Sequence, residues 1–205
     1  MLDCFKNLKS PLLYYITDGS QLPPGFPLLE KIEAAFAAGV DYVQIREKQM
    51  PARELVRLVS AAVALRRSGK LLVNDRLDVA LACGADGVHL PADRPPATEI
   101  RALGGEDFLV GVSCHSPQEV ERAAAEGADF AVLGPIFSTP GKGPPLGLAP
   151  LERAARTPIP VLALGGITPE NARRCLEAGA AGIAGIRIFQ NAADISAVAV
   201  KLRSL

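Results

Sequence analysis

Eight short apolar runs, most of them continuous rather than alternating, restrict the fold of this chain more than any other feature. They fall at residues 12–17, 42–46, 70–74, 87–90, 108–113, 130–134, 160–164 and 182–186. A strand covered on one face alternates apolar and polar residues, whereas one buried on both faces reads as an unbroken apolar run, the signature of a parallel sheet flanked by helices. Between the runs, residues 28–38, 52–67, 117–126 and 169–178 carry apolar side chains at helical spacing. The alternation predicts eight β/α units.

A weak repeat points to the same architecture. Gly39-Val-Asp-Tyr42, Gly84-Ala-Asp-Gly87, Gly127-Ala-Asp-Phe130 and Gly179-Ala-Ala-Gly182 each stand where a helix should end and a strand begin, and glycine there supplies a left-handed helix cap. These glycines lie 45, 43 and 52 residues apart, the length of two compact units. Four such pairs make eight. No G-x-G-x-x-G follows the first run, so a closed (β/α)8 barrel, a TIM barrel, is favoured over an open doubly wound sheet. The chain is 205 residues long and shows no linker, so residues 1–205 are expected to form one α/β barrel domain.

Charge narrows the range of partners. Twenty-two Lys and Arg balance 22 Asp and Glu, leaving no net field to gather nucleic acid or an anionic membrane and favouring a small-molecule partner. The first ten residues lack the apolar core of a signal peptide, and no stretch approaches 18 uninterrupted apolar residues, so the expected location is cytoplasmic. Cys4, Cys83, Cys114 and Cys175 have no metal-like spacing with His89 or His115 and read as small buried residues. Oligomeric state is left open, a homo-oligomer included.

In a barrel of this kind the chemistry sits at the C-terminal ends of the strands. Those ends carry Thr17-Asp18, Gln44 to Lys48, Asn74-Asp75, His89, Ser113-Cys-His115 and Gly165-Gly166. Gln44, Arg46 and Lys48 alternate, so an extended backbone points them to one side as a cationic comb suited to phosphate oxygens. The competing reading is a surface salt bridge with Glu47. A carboxylate at Asp75 beside such a comb suggests Mg2+ bridging it to phosphates, against the alternative that Asp75 caps the helix running through residues 78–83. Gly165-Gly166 lets backbone approach a ligand, and Thr168-Pro169 should then open a helix. Lys142, in the Gly/Pro-rich stretch 138–147, is either solvated or closes over an anionic substrate. His115 is either a general base or a strand-end hydrogen bonder.

These residues resemble a known family. Tyr15-Ile-Thr-Asp18, Gln44-Ile-Arg-Glu-Lys48, Asn74-Asp-Arg-Leu-Asp78, Ala85-Asp-Gly-Val-His-Leu90, Gly111-Val-Ser-Cys-His115, Gly134-Pro-Ile-Phe137 with Thr139 and Lys142, and Ala163-Leu-Gly-Gly-Ile167 are similar, in order, to thiamine phosphate synthases and their TenI-type relatives. The synthases join a pyrimidine methyl diphosphate to a thiazole phosphate and release pyrophosphate. The resemblance implies that Gln44, Arg46, Lys48 and Asn74 hold the pyrimidine substrate and its diphosphate, with Mg2+ on Asp75. It also implies that Ser113 and Lys142 contact the diphosphate, Thr139 the thiazole substrate, and the Gly165-Gly166 backbone the thiazole phosphate. Charge neutralisation by Mg2+, Arg46 and Lys142 would then be the main catalytic effect.

Two segments depart from the family pattern. Where the synthases carry a second acidic metal ligand after the fourth strand, this chain reads His89-Leu-Pro-Ala-Asp-Arg94, placing Arg94 in that slot and Asp93 one residue before it. After the eighth strand, a Ser-containing phosphate loop is replaced by Gly185-Ile-Arg-Ile-Phe189, which makes Arg187 either a phosphate ligand or a filler of the site. Both departures resemble the TenI-type thiazole tautomerases, in which a histidine matching His115 shuttles a proton without metal. The expected activity is the synthase, with His115-dependent tautomerisation or non-catalytic, regulatory binding of a phosphate ligand as alternatives.

Overall fold

The computed structural model describes residues 10–22, 27–66 and 68–205; Cys4 and the first nine residues lie outside them. Each of the eight apolar runs matches a strand to within one residue at either end: β1 (Leu12–Ile16), β2 (Tyr42–Ile45), β3 (Lys70–Asn74), β4 (Gly87–Leu90), β5 (Leu109–Cys114), β6 (Phe130–Leu133), β7 (Val161–Ala163) and β8 (Gly182–Gly185). All pair parallel in chain order, and β8 returns to β1 with Leu12 opposite Gly182 and Tyr14 opposite Ala184, closing a (β/α)8 barrel. The outer helices are α1 (Leu28–Ala37), α2 (Ala52–Leu65), α3 (Leu77–Cys83), α4 (Ala97–Gly104), α5 (Pro117–Ala125), α6 (Leu148–Ala154), α7 (Ala172–Glu177), α8 (Arg187–Gln190) and α9 (Ile195–Arg203).

Burial on both faces explains the continuous apolar runs. Leu12, Tyr14 and Ile16 point into the barrel, where they meet Tyr42, Leu72, Phe130, Val132, Leu162 and Ala184. Leu13 and Tyr15, one residue out of phase, pack outward against the helices. The Tyr42 and Phe130 rings stack at 5.3 Å, and Tyr14 meets both edge-on at 5.8 and 5.6 Å. This aromatic plug makes the barrel a packed core rather than a pore.

The repeat has a physical basis beyond its glycines. Gly39, Gly84, Gly127 and Gly179 all adopt positive φ, between 69° and 89°. Two residues after the first three, an aspartate at the foot of one strand ties down its neighbour. Asp41 accepts from Leu13 N at 2.7 Å and Arg203 Nη2 at 2.9 Å, and Asp129 from Val110 N at 2.7 Å and Arg101 Nη2 at 2.9 Å. Asp86 does the same with Leu71 N, at 2.8 Å, and Arg66. The fourth unit has Ala181 instead and no such clamp. Cys114 and Cys175 are buried and Cys83 partly so, all three unpaired by disulfides, and burial pushes the Cys114 thiol up to about 12. No helix among the described residues is long and apolar enough to cross a membrane.

Candidate active site

The C-terminal ends of the strands surround a cleft of about 530 Å³. Its walls bring together Gln44, Arg46 and Lys48 from the β2 end, Asn74 and Asp75 from β3, and Asp93 and Arg94 after β4. Ser113 and His115 from the β5 end, Thr139 and Lys142 after β6, and Gly165 and Gly166 after β7 complete the sequence-predicted set in the same cleft. Arg187, at the start of α8, joins them. A shallower groove between α2 and α3, lined by Arg53, Arg57 and Asp78, holds none of these residues.

Strand parity aims only Gln44 at the cleft; Arg46 follows the end of β2 and Lys48 stands in the turn beyond it, not on an extended backbone. Ile45 turns outward into the core, while Gln44, Arg46 and Lys48 face the cleft. Glu47 makes no salt bridge with them; its carboxylate accepts from Thr17 Oγ1 at 2.5 Å and from Gly19 N at 2.9 and 3.1 Å, and burial holds it above the usual carboxylate range. Gln44 is buried and donates through Nε2 to Asn74 Oδ1 at 2.9 Å. Its Oε1 has no partner among the described residues. An orphaned acceptor in this position is costly unless a ligand N–H or O–H completes it. The side chains of Arg46, Lys48, Lys142 and Arg187 make no hydrogen bond or ion pair with a described residue, so their charge is available to a ligand. Five cations face two carboxylates across the cleft.

Asp75 is not the cap of α3. The position before that helix is Arg76, which makes no side-chain cap bond, while Asp75 sits at φ 58°, the one non-glycine residue with positive φ among those described. Asp tolerates this left-handed region better than most residues, at a cost on the order of 1–3 kcal/mol that is characteristic of functional positions. Its Oδ2 accepts from Arg94 Nη2 at 3.0 Å. Mg2+ prefers oxygen ligands and commonly takes one or two carboxylates, with substrate phosphates and waters completing the shell. Asp75 with Asp93 supplies that donor class, and no group of three or more His, Cys, Asp or Glu gathers among the described residues into a closed protein site. These residues would therefore fit a Mg2+ whose remaining ligands are phosphate oxygens and waters, provided that Asp75 is released from Arg94. Breaking that pair costs little, since Arg94 is exposed and Asp75 partly so, and such pairs contribute about 0–1 kcal/mol.

Ser113 stands on a buried support. Its Oγ lies 2.9 Å from His89 Nε2, and His89 Nδ1 lies 3.1 Å from the Tyr14 hydroxyl at the centre of the barrel. Burial, reinforced by the charge of Arg46, pushes His89 down to about 3, so its imidazole is neutral. His115 is exposed at the rim; Nδ1 lies 2.7 Å from Gly134 O, and its backbone N donates to Glu119 Oε2 at 2.6 Å. A carbonyl oxygen only accepts, so Nδ1 carries a proton, and the neutral form of the ring has its lone pair on Nε2.

The glycine pair is dictated by packing. A side chain on Gly165 would meet Pro135 Cα at 2.6 Å, and one on Gly166 would meet Ser138 O at 2.5 Å. The pair thus lies flush against the loop carrying Thr139 and Lys142. The helix expected from Pro169 begins instead at Ala172. Asn171 Oδ1 accepts from Thr168 N at 2.9 Å and closes a turn over residues 168–171 first. His89 was visible as a polar strand end but not as a member of the site; the signal was a histidine at an inward-facing position of an apolar strand.

Residues 13–189 match the family described as thiamine monophosphate synthase. A thiamine-phosphate synthase of Moorella thermoacetica is 41% identical over 93% of this chain and 94% of its own length. One from Methanoculleus marisnigri is 44% identical over 93% of both. Among solved structures, a thiamine phosphate pyrophosphorylase from Pyrococcus furiosus superposes with a TM-score of 0.83 at 33% identity, covering 97% of this chain and 96% of that one. With its motifs in one cleft and its likeness running nearly end to end, this chain belongs to the thiamine monophosphate synthase family.

Proposed function

We propose that the cleft joins a pyrimidinylmethyl diphosphate to a thiazole phosphate, giving thiamine phosphate and pyrophosphate. The observation that carries this reading is the unpaired cationic set of Arg46, Lys48, Lys142 and Arg187 facing the cleft beside the orphaned Gln44 Oε1. The cations suit a diphosphate; the amide oxygen suits the amino group of an aminopyrimidine. Gln44 and Asn74 hold the pyrimidine, while Arg46, Lys48 and Ser113 hold its diphosphate. Lys142 closes over it from the β6 loop. Thr139 contacts the thiazole, and the Gly165-Gly166 backbone, with Arg187, receives the thiazole phosphate.

In the reaction the bond from the pyrimidinylmethyl carbon to the diphosphate oxygen breaks, and the electron pair leaves with pyrophosphate. The thiazole nitrogen forms the new C–N bond to that carbon. Negative charge grows on the leaving group, and preoriented cations in a confined cleft stabilise it more than the ground state. Mg2+ held by Asp75, with Asp93 beside it, would neutralise diphosphate oxygens when bound. Both substrates are small, soluble and phosphorylated, which suits a cytoplasmic enzyme.

One observation favours a second reading, the TenI-type proton shuttle: the Nε2 lone pair that a neutral His115 presents while its Nδ1–H donates to Gly134 O. The test is to incubate purified protein with the pyrimidine diphosphate, the thiazole phosphate and Mg2+ and to follow the products. Thiamine phosphate, formed by wild type and largely by His115→Asn, supports transfer. Thiazole isomerisation without coupling, abolished by His115→Asn, supports the shuttle and overturns the proposal. Binding without turnover would leave a regulatory protein.

A further inference from the structure

We propose that Tyr14 and His89 form a fixed buried relay that turns the Ser113 hydroxyl hydrogen into the cleft, so that this position accepts only a ligand oxygen able to receive a hydrogen bond. The proposal deepens the diphosphate reading of the cleft and rests on it.

Tyr14 is fully buried, and His89 Nδ1, at 3.1 Å, is the hydrogen-bond partner of its hydroxyl. If Nδ1 carried the imidazole proton, it would donate to the tyrosine oxygen and leave the phenolic hydrogen buried without an acceptor. The satisfied arrangement has the phenol donating to Nδ1, which places the single imidazole proton on Nε2. Nε2–H then donates to Ser113 Oγ across 2.9 Å. With one lone pair of Ser113 filled from beneath, its own hydrogen turns to the open side, and that side is the cleft. Gly111 makes the relay sterically feasible: a side chain there would meet Phe130 Cζ at 2.4 Å and His89 Nδ1 at 2.7 Å, so the two rings occupy the space a β-carbon would need. His89 and Tyr14 touch no ligand. They are positioning residues acting through Ser113.

Two measurements test this. Nitrogen-15 NMR of the imidazole should report the Nε2–H tautomer for His89 in wild type and a loss of that fixed pattern in Tyr14→Phe; an Nδ1–H tautomer in wild type overturns the relay. Calorimetric titration with inorganic pyrophosphate should show about tenfold weaker binding for Ser113→Ala and about threefold or more for Tyr14→Phe. The double variant should bind no more weakly than Ser113→Ala alone, because Tyr14 acts only through that hydroxyl. Losses that multiply in the double variant, or wild-type affinity in a folded Tyr14→Phe, contradict the relay. A merely structural role for Tyr14 would change melting temperature without this non-additivity. Wild-type protein that shows the Nε2–H tautomer but fails to bind pyrophosphate supports the relay's geometry and overturns the diphosphate reading instead.

Discussion

Arg94 Nη2 stands 3.0 Å from Asp75 Oδ2, so a guanidinium lies against the carboxylate best placed to take a divalent cation. The two compete for one anion. Arg94→Ala should therefore raise affinity for Mn2+, measured by electron paramagnetic resonance with pyrophosphate present, by about two- to fivefold, the equivalent of an exposed ion pair of up to about 1 kcal/mol. Asp75→Asn should abolish that binding while altering stability by less than about 0.5 kcal/mol, since asparagine also tolerates the left-handed backbone.

Removing one strand-foot clamp should cost stability and spare the cleft. In Asp129→Ala, Val110 N and Arg101 lose their carboxylate, a loss of about 1–3 kcal/mol. For a domain of this size that is a melting temperature lower by about 2–12 °C, with pyrophosphate affinity unchanged.

His89 makes the fold acid-sensitive. Its folded pKa lies near 3, below the unfolded value of about 6.5. Between those limits the unfolded chain binds a proton that the folded chain refuses, so stability is full above pH 6.5 and falls as pH drops toward 3. The slope from this group is about 1.4 kcal/mol per pH unit. Denaturant unfolding of wild type and His89→Gln should show a difference in stability that narrows as pH falls from 6.5; a gap independent of pH contradicts the buried neutral imidazole.

The eight strands were legible because burial on both faces leaves a mark within each run, and the comb was legible because Gln44, Arg46 and Lys48 recur with a period of two where β2 ends, although only Gln44 lies in the strand itself. What stayed hidden depends on partners far along the chain. Asp41 reads as a turn residue until Arg203 arrives from α9, and His89 as a strand end until Tyr14 meets it across the barrel. Local rules also misplaced one helix start and offered a false cap for another helix. Asp75 resembles a cap by residue type, yet its left-handed backbone aims it at the cleft, and Thr168-Pro169 closes a turn with Asn171 before α7 begins.

Lys48 faces the cleft and contributes nothing to the core. Lys48→Ala should weaken pyrophosphate binding by about 1.5–3 kcal/mol, roughly ten- to 150-fold, with an unchanged melting temperature.

If fixed cations in the cleft drive diphosphate departure, Arg46 carries a large share of the rate. Arg46 has no described ion-pair partner and lines the cleft from the comb's middle. The measurement is kcat for thiamine phosphate formation by Arg46→Ala against wild type, both saturated with substrates and Mg2+. A fall of about 10²–10³-fold in a variant with wild-type melting is the predicted result, the loss typical of removing one preorganised charge-stabilising donor. A rate within threefold of wild type would contradict the account.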